Sequence, residues 1–441
     1  MSMQTNRDPS PVDPRDAKLR LERLDKHFTV NRGILARILR GESADYVHAV
    51  DDVSLSIAEG ESFGLAGESG CGKTTLGKTA IKLLEPTNGR IHFDGEDITT
   101  LNRSELKEFR REAQIIHQNP YDSINPRFTV YEWVEEPLIV HGIESREERE
   151  ARVLQTLEMS GLEPPEAYAS EYPSELSGGE RQRVGIARAL VLEPSFLRAD
   201  EPASMLDVSI RASILDLFER LQSELGLTAL YISHDLSLLK HICDRIGIMY
   251  LGQLVEVGPA NEIIENPQHP YTQALVSSVP RVDPDATRER IELVGEVPDA
   301  IEVPSGCRFH PRCPKVVPPE DVDLSQDTWR QVANLRQDFL QDNVSVSDSE
   351  TPQAIRTAYG IPERVPDDTV ETLLKGALEA AADGTAERTG PVEEFIEGLE
   401  SPCESDPIPT YQATAVQRSK CIRHDPDGPY AVSDDSGLEF E

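Results

Sequence analysis

SFGLAGESGCGKTTLGKTAIKLL, residues 62–84, decides the architecture. A short apolar run, Phe63 to Ala66, enters a turn built on Gly67, Gly70 and Gly72, and Lys73-Thr74-Thr75 then opens a helical pattern. Strand, glycine loop and helix in that order make a phosphate-binding unit. Gly67, Glu68, Ser69, Gly70, Cys71, Gly72, Lys73 and Thr74 match G-x-x-x-x-G-K-[ST]. The glycines let backbone N–H groups close around phosphate oxygens, Lys73 reaches toward the outer phosphates, and the Thr74 hydroxyl suits Mg²⁺. The helix N-terminus adds its positive dipole end to the same place. By itself the loop implies nucleotide binding and no particular reaction. Cys71 reads as a small filler within the turn rather than a redox group.

Outward from the loop, alternating apolar stretches at LRLERLDKHFTV (19–30) and AVDDVSLSIAEG (49–60) precede it, and IHFDGEDI (91–98) follows it with an Asp-Gly turn. These read as strands. From about 128 to 190 the pattern turns helical, as in EEREARVLQTLEMSGL, and two strand–helix units follow at FLRAD and LTALYISHD. Strands alternating with helices predict an α/β fold with a mostly parallel sheet covered on both faces. The expected organisation is a disordered 1–17, a nucleotide-binding domain over 18–285 with a helical part at about 119–190, and a C-terminal extension over 286–441. Residues 314–402 carry 19 acidic and 7 basic side chains, broken by PP, SDSE and GTAERTG. This acidic insertion is expected to be part helix and part mobile, with DTVETLLKGALEAAAD as its clearest helical piece.

The whole chain of 441 residues has 79 Asp and Glu against 44 Lys and Arg, a formal charge of −35, and only 10 of the cations are lysines. Such a balance argues against nucleic acid as a partner, because phosphates call for a basic face. An acidic, lysine-poor surface resembles proteins of salt-loving organisms, where screening at about 1 M salt shrinks the Debye length to roughly 3 Å. No run reaches the roughly 18 apolar residues that cross a bilayer, and the N-terminus lacks the apolar middle of a secretory signal. The expected location is therefore cytoplasmic, with any membrane role carried by a partner.

Leu176-Ser177-Gly178-Gly179-Glu180-Arg181-Gln182-Arg183 narrows the class. With it the chain resembles the ABC ATPases, whose LSGGQ signature this is, a RecA-like P-loop fold with an antiparallel β subdomain and a helical subdomain. The resemblance implies that Ser177, Gly178 and Gly179 approach the γ-phosphate of ATP held by an opposite subunit, so that two ATPases, paralogous or identical, pair around two MgATP. It further implies that Asp200 in FLRADEP holds Mg²⁺ and that Glu201 is the general base. Gln118 resembles the Q-loop, which touches Mg²⁺ and water. Asp207 in SMLD resembles the dimer-seam loop, and His234 in YISHD the switch histidine. Phe28 is the candidate for stacking on adenine, with Tyr46 as competitor. Arg198 departs from the family, which has an aliphatic residue there. Buried in a central strand, it is expected to find a carboxylate or reach solvent.

NPYDSINPRFTV after Gln118, HPYTQALVSSVP at 269–280 and GEVPDAIEVPSGCRFHPRCP at 295–314 look like the oligopeptide/dipeptide/nickel importer ATPases. The entry HFTVNRGILARILRGESADYVHAVDDVSL is more like the second of their paired ATPases. The resemblance implies two transmembrane permease subunits as partners, an extracellular solute-binding protein working indirectly, and a place on the cytoplasmic face of the membrane. Di- or oligopeptides are the implied solute, nickel or a sugar the alternative, and a non-transport ABC ATPase the more distant one. Cys307, Cys313, Cys403 and Cys421 supply four soft ligands suited to Zn²⁺ or an iron–sulfur cluster, which some relatives with a similar pattern are thought to hold. Reduced thiols are the other reading, and His310 ranks last as a ligand.

Overall fold

The computed structural model describes residues 16–30, 45–118, 124–204, 206–279, 290–293, 295–344, 351–383, 390–405 and 407–430, without the Val208 side chain. The N-terminal stretch up to Pro14 and Arg15, most of the basic loop between the first two strands, NPYDS at 119–123 and Met205 lie outside these. Ala17, expected in the disordered N-terminus, instead begins a strand and is buried opposite Ala58. The chain forms two compact units, residues 1–267 with 414–417, and residues 268–413 with 418–441. The contact boundary thus precedes the expected 285/286, because the rings of His269 and Tyr271 pack on Phe309, 5.9 and 5.2 Å between centroids.

In the first unit, strands β1 (Ala17–Thr29), β2 (Tyr46–Ala58), β3 (Ser62–Ala66) and helix α1 (Lys73–Ala80) come first. Next are β4 (Asn88–Phe93), β5 (Glu96–Asp97), α2 (Arg103–Glu112) and β6 (Ala113–Ile116). A helical stretch follows, α3 (Val130–Val140), α4 (Arg146–Met159), α5 (Pro165–Ala169) and α6 (Gly178–Leu190). The series ends with β7 (Phe196–Asp200), α7 (Val208–Leu225), β8 (Thr228–Ile232), α8 (Leu236–Ile242), β9 (Arg245–Tyr250), β10 (Gln253–Pro259) and α9 (Ala260–Glu265).

Two sheets result. The antiparallel one has order β2-β1-β4-β5, and the main one runs β10-β9-β3-β8-β7-β6. Within it β9, β3, β8, β7 and β6 are parallel, and every residue of β3, β7, β8 and β9 is buried. Strands covered on both faces read as unbroken apolar runs rather than alternations, which is how SFGLA, TALYI and RIGIMY look. One apolar core joins the two sheets through Leu21, Val53, Phe63, Leu76, Ile91 and Phe196. A second holds the helical stretch together through Val134, Leu138, Val153, Leu157, Val184 and Leu192. Capping boxes at Asn102, Thr129 and Ser177 start α2, α3 and α6, each with Glu three residues on.

In the second unit, α10 (Pro270–Ser277) precedes α11 (Gln326–Leu340), α12 (Pro352–Ala358), α13 (Asp368–Ala382) and α14 (Pro391–Gly398). The acidic insertion therefore has a core. Trp329, Val332, Leu335 and Phe339 of α11 are buried together with Val370, Leu374 and Leu378 of α13 and Val392 and Phe395 of α14. Its buried charges are paired, as in Arg336 with Glu404 at 2.6 Å.

Candidate functional site

The glycine loop's shape is forced by its surroundings. Gly67 and Gly72 have φ of +147° and +106°, and a Cβ on either would stand 2.2 Å from the Met249 carbonyl oxygen or 1.9 Å from that of Ala49. No other residue fits. Lys73, which starts α1, donates to the Gly67 and Glu68 carbonyl oxygens, both at 2.8 Å, and so folds back along the loop. The first turn of α1 has no side-chain cap and no acidic residue, which leaves its amides and dipole for an anion. Ser69 and Gly70 are exposed at the loop's crest. Cys71 is buried, its thiol pushed up by burial, so it fills space.

At the end of β7 the Asp200 carboxylate divides its oxygens. Oδ1 accepts from Thr74 Oγ1 at 3.4 Å, and Oδ2 accepts from Arg198 Nη2 at 2.5 Å. A hydroxyl and a carboxylate oxygen converging in this way are hard donors of the kind Mg²⁺ takes. Arg198 is 1% exposed and lies against α1 at Gly77, where a Cβ would meet its Nε at 2.5 Å. The carboxylate expected for this arginine is thus Asp200, two residues along its own strand face.

Glu201 is the neighbouring carboxylate, with a backbone φ of +44°. That turn separates it from Asp200 and swings its side chain to a different pair of partners. Its Oε2 accepts from Gln118 Nε2 at 2.7 Å, and its Oε1 lies 2.8 Å from His234 Nδ1. Three residues drawn from β6, β7 and β8 ends meet at one carboxylate. A carboxylate oriented from both sides, next to a hard-cation pair and beside a phosphate loop, can take a proton from a water molecule.

Ser177 caps α6, accepting from the Glu180 amide at 3.3 Å, while its own amide donates to Glu180 at 2.7 Å. Hydrogen bonding by the Ser177 side chain, and then by its amide, holds the Glu180 carboxyl below its ordinary range. Ser177 is exposed, Gly178 half-buried, and a Cβ on Gly179 would meet Ile210 Cγ2 at 2.6 Å. Asp207 stands exposed at the start of α7. Phe28 and Tyr46 are 39% and 44% exposed, and the register pairs Phe28 with Val47 and Thr29 with Tyr46. Opposed residues share a face, so Phe28 and Tyr46 point to opposite faces of the ribbon and compete rather than cooperate.

A groove of about 750 Å³ adjoins Thr74, Gln118 and Asp200 and runs out between α3 and α6, lined also by Trp133, Val140, Gln182 and Arg188. Val140 and Leu83 in its lining are 56% and 40% exposed, and Ile139, next to Val140 in the chain, is 55% exposed. The sequence reading missed this groove, although adjacent apolar Ile139-Val140 at the end of an amphipathic helix is a usable signal. In the second unit, Cys307, Cys313, Cys403 and Cys421 line one cavity together with His269 and His310. The part of His269 was also missed, since a single histidine in HPYT carries no signal without the fold.

The sequence matches three family models, the ABC transporter over residues 50–204, the oligopeptide/dipeptide transporter C-terminal region over 255–319, and a domain of unknown function over 326–416. It is 47% identical over 303 residues to the oligopeptide transport ATP-binding protein AppF of Bacillus subtilis (strain 168), covering 68% of this chain and 90% of that protein. A probable peptide ABC transporter ATP-binding protein of Sinorhizobium fredii is 44% identical, covering 68% and 84% of the two chains. Among solved structures, a dimeric post-hydrolysis state of the ATP-binding cassette MJ0796 with ADP and Pi aligns over 55% of this chain and 98% of that one. Its identity is 31% and its TM-score 0.48.

Proposed function

The chain belongs to the oligopeptide/dipeptide ABC transporter ATP-binding proteins, and from that premise we propose that it hydrolyses ATP to power an importer of di- or oligopeptides. The observation that carries the reading is the Glu201 carboxylate, gripped by Gln118 and His234 beside the Thr74–Asp200 pair and the Lys73 loop. The loop amides and Lys73 bind the phosphates, and Phe28 stacks on the adenine. Mg²⁺, held by Thr74 and Asp200 with Gln118 at its water shell, would neutralise charge on the phosphates. Glu201 takes the proton of the attacking water, and His234 orients that carboxylate and meets the γ-phosphate.

Ser177, Gly178, Gly179 and Asp207 serve the nucleotide of a second ATPase, a paralogue or another copy. A mixing experiment tests this two-sided grip. Lys73→Met and Ser177→Arg variants are each expected to lack turnover. Re-paired as mixed dimers of two copies of this chain, they should regain hydrolysis, because the intact Lys73 loop of one copy then faces the intact Ser177 signature of the other. No recovery would mean that Ser177 serves no neighbour's nucleotide.

The groove lined by Val140 and Leu83 is the proposed seat for a permease segment, and since it runs to Gln118, nucleotide state is felt there. Two permease subunits would hold the chain at the cytoplasmic face of the membrane. No described helix is long and apolar enough to cross a bilayer.

The four late cysteines fit a metal centre. They line one cavity, and burial, followed by their mutual repulsion, pushes Cys307 and Cys313 well up, so they would ionise together only around a cation. Among the described residues, no three of these sulfurs lie mutually within 4.8 Å. A single Zn²⁺ with bonds of about 2.3 Å needs sulfurs roughly 4 Å apart, so a polynuclear [4Fe–4S] centre suits the wider spacing better than Zn²⁺. Anaerobically purified protein is expected to be brown and to contain iron and acid-labile sulfide. A colourless, metal-free, folded preparation would end this part of the reading.

A further inference from the structure

Beside the groups assigned to the nucleotide, the β1–β2 ribbon brings together three donors that the reaction does not use. Register shifts at Leu24/Lys26 and Lys26/His27 set His27 directly opposite His48. Their rings pack 4.3 Å apart between centroids, tilted by 52°. Asp51, three residues beyond His48, places Oδ1 3.4 Å from His27 Nε2. One ligand atom from each of the three lies within 4.8 Å of the other two. His27 Nε2 is enclosed and makes no hydrogen bond. The side chains of His27 and Asp51 are only 17% and 24% exposed, so neither is a freely solvated surface group.

The 3.4 Å separation is long for a hydrogen bond, but it is the donor-to-donor edge expected of a tetrahedral ion bonded at about 2.0–2.1 Å. Two imidazoles and one carboxylate choose the class of ion. Mg²⁺ and Ca²⁺ favour all-oxygen shells, whereas imidazole nitrogen suits Zn²⁺, Co²⁺ and Ni²⁺. We propose that His27, His48 and Asp51 form a binding site for a borderline divalent transition-metal ion, with water completing its shell. The ion would cross-link β1 to β2.

What it would stiffen follows from the neighbours. Ala49, between His48 and Asp51, has its carbonyl oxygen packed against Gly72 of the phosphate loop. The Asp51 amide donates to the Gly252 carbonyl at 2.9 Å, and Phe28 follows His27 on β1. A metal here would tie down two strand segments that border the phosphate loop.

The competing outcome is no metal at all, with His27 and Asp51 merely facing each other across the ribbon. Metal-stripped full-length protein titrated with Co²⁺ distinguishes them. Cobalt at His27, His48 and Asp51 gives visible d–d bands without sulfur-to-metal charge transfer, whereas cobalt at the cysteines gives charge transfer in the near ultraviolet. Calorimetry with Zn²⁺ counts the same sites. His48→Gln and Asp51→Asn are each expected to lose the thiolate-free band and to weaken that class of binding at least tenfold, with MgATP binding retained as the check on folding. Wild-type protein that takes up Co²⁺ with the thiolate signature alone overturns the proposal, whatever the variants do. So does a thiolate-free band unchanged in both variants. Neither result bears on the ATPase reading.

Discussion

Glu201→Gln is expected to lower MgATP turnover by about a thousandfold while leaving MgATP affinity within about twofold of the parent. The substitution keeps the shape of the side chain and its reach to both partners, 2.7 Å from Gln118 and 2.8 Å from His234. What it removes is the lone pair that accepts a proton. Nucleotide binding rests on other groups, the loop amides, Lys73 and the Thr74–Asp200 pair, none of which Glu201 touches in the hydrogen-bond pattern above. The split between binding and turnover is therefore the diagnostic. Single-turnover hydrolysis measured beside equilibrium binding of a fluorescent ATP analogue checks it. A variant that hydrolyses at the parental rate would show that the base lies elsewhere, and a variant that loses binding as well would give Glu201 a role in the nucleotide pocket itself. His234→Ala should act less strongly, because Gln118 still holds the carboxylate from the other side.

The parts of this site that sequence could reveal are those set by local geometry. Gly67 and Gly72 are legible because only glycine tolerates the approach of the Met249 and Ala49 carbonyls, and Lys73 and Thr74 follow them in fixed register. The central strands are legible because two-sided burial leaves unbroken apolar runs. Elements that depend on distant pairing were harder to read. In the acidic insertion, Trp329, Val332, Leu335 and Phe339 keep a helical spacing, yet the surrounding Asp and Glu dilute it, and partners such as Glu404 for Arg336 lie 68 residues away. Net acidity points toward mobility, yet Arg336 and Arg356 are buried and paired with Glu404 and Glu371, while most of SDSE and GTAERTG lies outside the described residues. The His27–His48 pair was invisible for a related reason. It exists through bulges in β1 that shift the register, and a one-residue slip would have sent the two rings to opposite faces.

Arg198 offers the second large effect, and its sign follows from competition for one carboxylate. The guanidinium neutralises Asp200 through Oδ2 while Oδ1 faces Thr74, where a Mg²⁺ ion would bind. A fixed positive charge beside a divalent cation opposes it, and at an effective dielectric of about 20 two unit charges 4 Å apart already interact by roughly 4 kcal/mol. Burial holds the Arg198 pKa below its ordinary value and Asp200 pushes it back up, so the arginine's charge depends on its partner. Arg198→Met, similar in length and apolar, fits the space that Gly77 leaves open. Without nucleotide it should destabilise the protein by about 3 kcal/mol, because Asp200 is left buried without a counter-charge. With MgATP part of that loss should return, since the ion supplies the missing charge, and the Mg²⁺ concentration for half-maximal hydrolysis should fall about tenfold, equivalent to roughly 1.4 kcal/mol. Thermal unfolding with and without MgATP, together with a Mg²⁺ titration of the rate, measures both. A stability loss that MgATP leaves unchanged would mean that Arg198 is only a packed strand residue. A rise in the Mg²⁺ requirement would mean that it orients Asp200 for the metal rather than competing with it.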